Sequence, residues 1–212
     1  RIVYTYADGC QITLDGDALY VGLERTHDIF RFDFDWKGFP SNPRPVPAPP
    51  ELKDLPFNQG LEGMVFVPAT QPLAGTLIGF SEQGLTAEGN LKAFLIGGKT
   101  PGVFSVRRSD GYSTSDAAIL PGGDILILER QYSLERGVSM RLRRLRQADI
   151  RPGALVDGPT VIETGVRFEI DNMEAISVTR SRSGETVLPL ISDNNFSAIQ
   201  RTLLLQFTLK EN

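Results

Sequence analysis

The sequence predicts an all-β protein, a β-propeller built from four-stranded antiparallel blades, with about four blades in this chain and room for more in a longer domain. Two observations predict it. Short apolar segments are separated by turn signals such as Asp15-Gly16, Gly122-Gly123 and Ser183-Gly184, with no long 3.6-residue periodicity to compete with them. A degenerate unit also recurs: an acidic residue followed by small and apolar residues, a Gly- or Asp-bearing turn, an apolar strand, and an acidic or amide cluster at its end. A β-sandwich has no reason to repeat one acidic position in every second hairpin, whereas a propeller places equivalent residues around one axis.

The elements follow in order. The first unit is weak at Asp8-Gly9-Cys10-Gln11-Ile12-Thr13-Leu14, clear over residues 16–25, and continues in a third strand from Ile29 to Phe34. The Pro-rich stretch 40–56 cannot supply ladder donors and reads as an excursion, a surface arm or a lid. The second unit runs through Leu61-Glu62-Gly63-Met64-Val65-Phe66-Val67, residues 75–83 and Leu91 to Ile96, with an outer strand at Val103 to Arg107. The third spans residues 115–130 and Val138 to Leu145, with an outer strand at Val161 to Thr164. The fourth begins at Met173-Glu174-Ala175-Ile176, continues through residues 185–195, and ends on a third strand, Thr202 to Leu209, without a fourth. The expected organisation is one propeller domain over 1–212, with blades at 7–39, 59–108, 114–165 and 171–209.

Composition narrows the function classes. With 41% hydrophobic and 23% charged residues the chain has an ordinary globular balance. No apolar run approaches the roughly 20 residues that span a bilayer. The lone Cys10 forms no internal disulfide, and Cys10 with the single His27 cannot build a zinc site. A net charge of -4 gives no footprint for nucleic acid, and the local run Arg141, Arg143, Arg144, Arg146 reads as a solvated strand face. His27 follows a strand end, with no nucleophile-elbow sequence near any serine. Gly97-Gly98-Lys99-Thr100 reads as a turn, and Trp36 with Phe32, Phe34 and Phe39 reads as packing between blades rather than a ring-binding platform.

The chemistry lies in the repeated acids. If first strands line the channel, Glu62, Asp116 and Glu174 face the axis near one mouth. The clusters ending the second strands, Glu24-Arg25, Glu82, Glu129-Arg130 and Asp193-Asn194-Asn195, return to that face because neighbouring strands are antiparallel. Convergent carboxylates repel unless a cation or an arginine neutralises them. Oxygen ligands without a His or Cys set point to a hard cation, above all Ca²⁺. Arg25 and Arg130 are the other neutralising groups, and could present a guanidinium fork to phosphate or carboxylate. The same carboxylates could equally serve architecture, binding backbone amides or arginines of neighbouring blades.

The segments Leu23-Glu24-Arg25, Gly60-Leu61-Glu62-Gly63-Met64, Leu128-Glu129-Arg130, Asp171-Asn172-Met173-Glu174-Ala175-Ile176 and Leu190-Ile191-Ser192-Asp193-Asn194-Asn195-Phe196 resemble the phytase-like esterase domain family. The resemblance spans nearly the whole chain, and its most specific pieces are Asn-Met-Glu-Ala-Ile and the closing Ser-Asp-Asn-Asn-Phe. It implies a bacterial, periplasmic or secreted protein acting on a small-molecule ester or phosphoester. It also implies a larger ring, with one or two blades before Arg1. Joined to the acidic pattern, it suggests Ca²⁺ held by Glu62, Glu82, Asp116, Glu129, Glu174 and Asp193. Glu62, Glu174, Arg25 and Arg130 are then the catalytic candidates, the arginines gripping non-bridging oxygens. The alternative is a non-catalytic envelope binding or scaffold propeller whose acidic ring is structural.

Overall fold

A computed structural model describes residues 10–34, 41–134, 137–165 and 168–210. Trp36 and Phe39 lie outside the described residues, as does the Arg1 to Tyr6 segment.

Four antiparallel sheets follow one another along the chain as the blades of a β-propeller. The first holds β1 (Cys10–Asp15), β2 (Ala18–Leu23), β3 (Asp28–Asp33) and the short β4 (Arg44–Pro45). The second holds β5 (Leu61–Phe66), β6 (Thr76–Leu85), β7 (Leu91–Gly97) and β8 (Gly102–Val106). The third holds β9 (Ser113–Ile119), β10 (Ile125–Ser133), β11 (Gly137–Leu145) and, after the two-residue β12 (Leu155–Val156), β13 (Thr160–Gly165). In the fourth, β14 (Met173–Ile176) and β15 (Thr179–Arg180) both pair with β16 (Thr186–Ser192), which β17 (Leu204–Leu209) flanks on its other side. First strands neighbour one another from blade to blade, β1 beside β5, β5 beside β9, and β9 beside β14.

The core is not a single centre but three layers between blades. Ala18, Tyr20, Ile29 and Met64 join the first two blades. Val65, Ile78, Phe80 and Phe104 meet Ala117, Ile125 and Ile127 between the second and third. Leu126, Leu128 and Leu142 meet Met173, Leu188 and Leu190 between the third and fourth. Strands covered on both faces have no polar side to show, so Leu77-Ile78-Gly79-Phe80 and Ile125-Ile127 with Leu126 and Leu128 are continuously apolar and buried. Two aromatic contacts fill the layers, Tyr20 stacked on Phe66 at 5.3 Å and Phe80 edge-on to Phe104 at 6.0 Å.

Two features differ from the sequence reading. The Pro-rich stretch is structural rather than an arm or lid: Arg44–Pro45 forms the outer strand of the first blade, and the Val46 N–H donates to Ile29 O at 2.8 Å. A proline is tolerated there because the strand is an edge. The chain then makes a short 3-10 turn over Pro50–Asp54, burying Leu52 and Leu55 against the first inter-blade layer. The second difference is β12, which leaves the third blade to pair in parallel with β8 of the second.

The basic run is also corrected. Arg141 and Arg143 are buried, not solvated, because both face Glu129, whose side chain is wholly enclosed. Glu129 sits opposite Arg141 in the β10–β11 register. Its Oε2 accepts from Arg141 Nε at 2.9 Å and Arg143 Nε at 2.7 Å, and its Oε1 accepts from Arg143 Nη2 at 2.6 Å. Arg143 carries the network onward to the Arg107 carbonyl and Asp157, and Arg141 stacks over Tyr112 at 4.2 Å. A buried charge costs several kcal/mol unless it is paired and hydrogen-bonded in this way.

Candidate functional site

All four blades contribute side chains to one polar cluster, and β-bulges aim two of them. The β5–β6 register shifts between Leu61 and Gly63, so Glu62 is an extra, unpaired residue. The β14–β16 register shifts in the same way between Met173 and Ala175, which leaves Glu174 unpaired. A bulge frees a side chain from the alternation of the ladder and redirects it. The third blade has its bulge too, but the extra residue there is Ser115, since Leu128 pairs with Asp116 and Glu129 with Thr114.

That one-residue slip decides the fate of Asp116. Its Oδ2 accepts from the Ile176 N–H of the next blade at 2.8 Å and its Oδ1 from the Ala117 N–H at 2.7 Å, so it staples two blades together. Ser115, in the bulge, donates to Met173 O at 3.0 Å. Burial pushes the Asp116 carboxyl up to about 7 despite these two amide bonds.

The carboxylates that converge are Glu24, at the end of β2, Glu62 and Glu82, which offer one oxygen each within 4.8 Å of one another. The Glu82 N–H donates to Gly60 O at 2.8 Å, which fixes β6 at this point, and Gln11 Nε2 donates to Glu62 Oε2 at 3.1 Å. Burial, then the charges of Glu24, Glu82 and Glu174, push the Glu62 carboxyl up to about 8. Burial and Glu82 also raise Glu24. These are the marks of carboxylates gathered without enough positive charge.

Arg130 supplies part of that charge. Its Nη2 donates to Glu82 Oε1 at 3.4 Å, and its Nη1 donates to Asn172 Oδ1 at 2.6 Å and to Glu174 Oε1. Asn172 Nδ2 also donates to Glu174, and Glu174 is raised chiefly by burial, an effect that Arg130 and Asn172 oppose. The Arg25 guanidinium stands 5.8 Å from the centre of the Phe57 ring, and its charge lowers Glu24.

The sequence-predicted residues therefore separate into two groups. Glu62, Glu82, Glu174, Arg130 and Arg25 are brought to one neighbourhood, whereas Glu129 and Asp116 are committed to structural bonds. Asp193 stands at the rim: it is exposed, accepts from Asn195 N at 3.0 Å, and raises Glu174 by its charge. Glu24, not counted among the metal ligands from sequence, joins the cluster, together with the amides of Gln11 and Asn172. The signal for Glu24 was its place in the repeat, and that for Asn172 its place at the head of Asn-Met-Glu-Ala-Ile; nothing in the sequence marked Gln11. His27 is buried, and its Nε2–H donates to Leu55 O at 3.0 Å, anchoring the Pro-rich stretch. Glu82, Arg130 and Asn172 also line an open cleft of about 340 Å³.

Two solved structures of Cellvibrio cellulosa alpha-L-arabinanase, both propellers, are similar to the chain. The one complexed with arabinohexaose has a TM-score of 0.48 at 11% identity, covering 93% of this chain and 72% of that one. A point mutant has a TM-score of 0.50 at 12% identity, covering 95% and 70%. At 12% identity the likeness to the mutant is one of fold alone. No curated protein matches the chain. The sequence model described as phytase-like, esterase-like activity of phytase, matches residues 5–196, and by that match the chain belongs to the phytase-like family.

Proposed function

We propose that this protein is a cation-assisted hydrolase of small phosphoesters or related esters, with its reaction centre at the Glu24–Glu62–Glu82 cluster. The observation that carries the reading is the convergence of three carboxylates within 4.8 Å, one of them raised to about 8. A donor set made only of carboxylate oxygens fits a hard divalent cation such as Ca²⁺ and does not fit zinc or copper. When bound, such an ion polarises a phosphoryl or acyl oxygen and lowers the pKa of a water.

The chain's own groups do the rest. Glu62 holds a proton at neutral pH until a cation displaces it, so cation uptake releases a proton. Arg130, one-quarter exposed, turns toward the cleft and offers its fork to non-bridging oxygens. Glu174 and Asn172 hold that fork in place, which makes them positioning residues. Arg25 limits the negative potential at Glu24. A bacterial periplasmic or secreted setting, with a small-molecule ester or phosphoester as substrate, accompanies this reading. A second reading, a non-catalytic binding or scaffold propeller, is favoured by Arg130 already bridging Glu82 and Glu174.

The test is hydrolysis of p-nitrophenyl phosphate and p-nitrophenyl acetate after chelation and after Ca²⁺ is restored, in the natural protein and in Glu62→Gln with Glu174→Gln. Ca²⁺-dependent turnover that the double variant loses while still folding and melting cooperatively is expected. Turnover indifferent to chelator and to the double substitution sinks the proposal, and metal binding without turnover selects the second reading.

A further inference from the structure

The cleft beside the carboxylate cluster has a second arginine that the sequence did not mark. Arg108 follows β8 and is held over the tight turn Ser109–Tyr112, where Asp110 and Gly111 take φ of 55° and 76° and the Tyr112 N–H donates to Ser109 O at 3.2 Å. Its Nε donates to Tyr112 O at 2.9 Å and its Nη2 to Gly111 O at 3.3 Å. Arg130, Arg141 and Arg143 each meet a carboxylate, whereas Arg108 has no ion pair among the described residues. Carbonyl oxygens fix its orientation without cancelling its charge, so the remaining guanidinium edge is available to an anion.

The rest of the lining suits hydroxyl groups. Gln83, Gln131 and Gln200 border the same cleft, and side-chain amides both donate and accept, as sugar hydroxyls do. Gln131 Oε1 is taken by Ser139 Oγ at 3.1 Å, which leaves its Nε2 beside Gly111 on the cleft wall. Tyr132, 69% exposed, adds an aromatic face to the same wall. Arg108 brings to this cleft a guanidinium that no carboxylate among the described residues neutralises, whereas Arg130 is already held by Glu82 and Glu174, so one phosphate can meet Arg108 while each further phosphate meets Glu82 or Glu174.

Resting on the hydrolase reading, we propose that this cleft selects a sugar or related polyol carrying a single phosphate, with Arg108 and Arg130 drawing the phosphate, the glutamines meeting hydroxyls, and Tyr132 covering the ring. Polyphosphorylated ligands are disfavoured.

Calorimetry on the chelated full chain at pH 7, where no cation supports turnover, tests it with glucose 6-phosphate, glucose 1,6-bisphosphate, inorganic phosphate and glucose. Glucose 6-phosphate is expected to bind about ten-fold tighter than any of the other three. Arg108→Gln should weaken glucose 6-phosphate about ten-fold and leave glucose unchanged, whereas Tyr132→Ala should weaken both sugars. Arg108→Lys, which keeps the charge and loses the fork, provides the same reading if the glutamine variant does not fold. Equal binding of phosphate and glucose 6-phosphate, tighter binding of the bisphosphate, or indifference to the substitutions overturns the proposal. Binding is read without turnover, so an inactive ester panel refutes only the hydrolase reading, and loss of sugar-phosphate preference refutes only this one.

Discussion

Replacing Glu62 by glutamine should stabilise the cation-free protein at alkaline pH, an outcome opposite to that of most changes to a buried polar residue. The folded chain holds the Glu62 proton up to about 8, whereas an unfolded glutamate loses it near its ordinary value of 4.5. Between those values the native state binds more protons than the unfolded state, so stability falls as pH rises through the window and the full penalty stands above it. At about 1.4 kcal/mol per pH unit the interval sets an upper bound near 5 kcal/mol, and relaxation of the site reduces it to about 2 to 3 kcal/mol. Glutamine keeps the shape of the protonated acid and still accepts the bond from Gln11. In chelator at pH 9, Glu62→Gln should therefore melt about 5 to 10 °C above the natural protein, with little difference at pH 4. Ca²⁺ should reverse the order, because it stabilises only the protein that retains the carboxylate. A variant that melts lower than the natural protein at both pH values, with or without Ca²⁺, refutes the picture of under-compensated carboxylates.

Three further outcomes follow from the same geometry. Glu129→Gln removes the one wholly buried carboxylate that Arg141 and Arg143 share, leaving them only the exposed Asp110 and Asp157, and should cost about 3 to 5 kcal/mol in urea unfolding, a loss that Ca²⁺ does not repair. Asp116→Ala removes the acceptor of the Ile176 and Ala117 amides and should cost about 1 to 3 kcal/mol while leaving Ca²⁺ affinity unchanged in calorimetry. Gly63→Ala places a methyl 3.0 Å from the Ala117 nitrogen and the Asp116 carbonyl carbon of the next blade, and overpacking there should lower stability by about 1 to 3 kcal/mol in the same unfolding assay.

The fold was largely legible because it is written in periodicity. Each blade needs short strands, turns and apolar runs wherever both faces are covered, and these are local properties of the chain. The expected third strand from Leu91 to Ile96 and outer strand from Val103 to Arg107 match β7 and β8 to within a residue. The Pro-rich stretch misled because its role is tertiary: a proline on an edge strand and a buried Leu52 become visible only once β3 lies beside them. Arg141 and Arg143 misled for the same reason, since alternation tells which residues share a face but not whether another blade covers it.

The acidic repeat by itself determined that carboxylates would recur at comparable places in successive blades, because residue type and spacing are sequence properties. Only the tertiary structure decided which of them meet. The bulges expel Glu62 and Glu174 from their ladders, whereas the third blade's bulge falls on Ser115 and leaves Asp116 to bind amides. A strand's side chains reverse face with every residue, so a shift of one position exchanges a place in the cluster for a place between blades. Glu24, Glu62, Glu82 and Arg130 come from three blades and gather because stacked inter-blade cores bring those blades together.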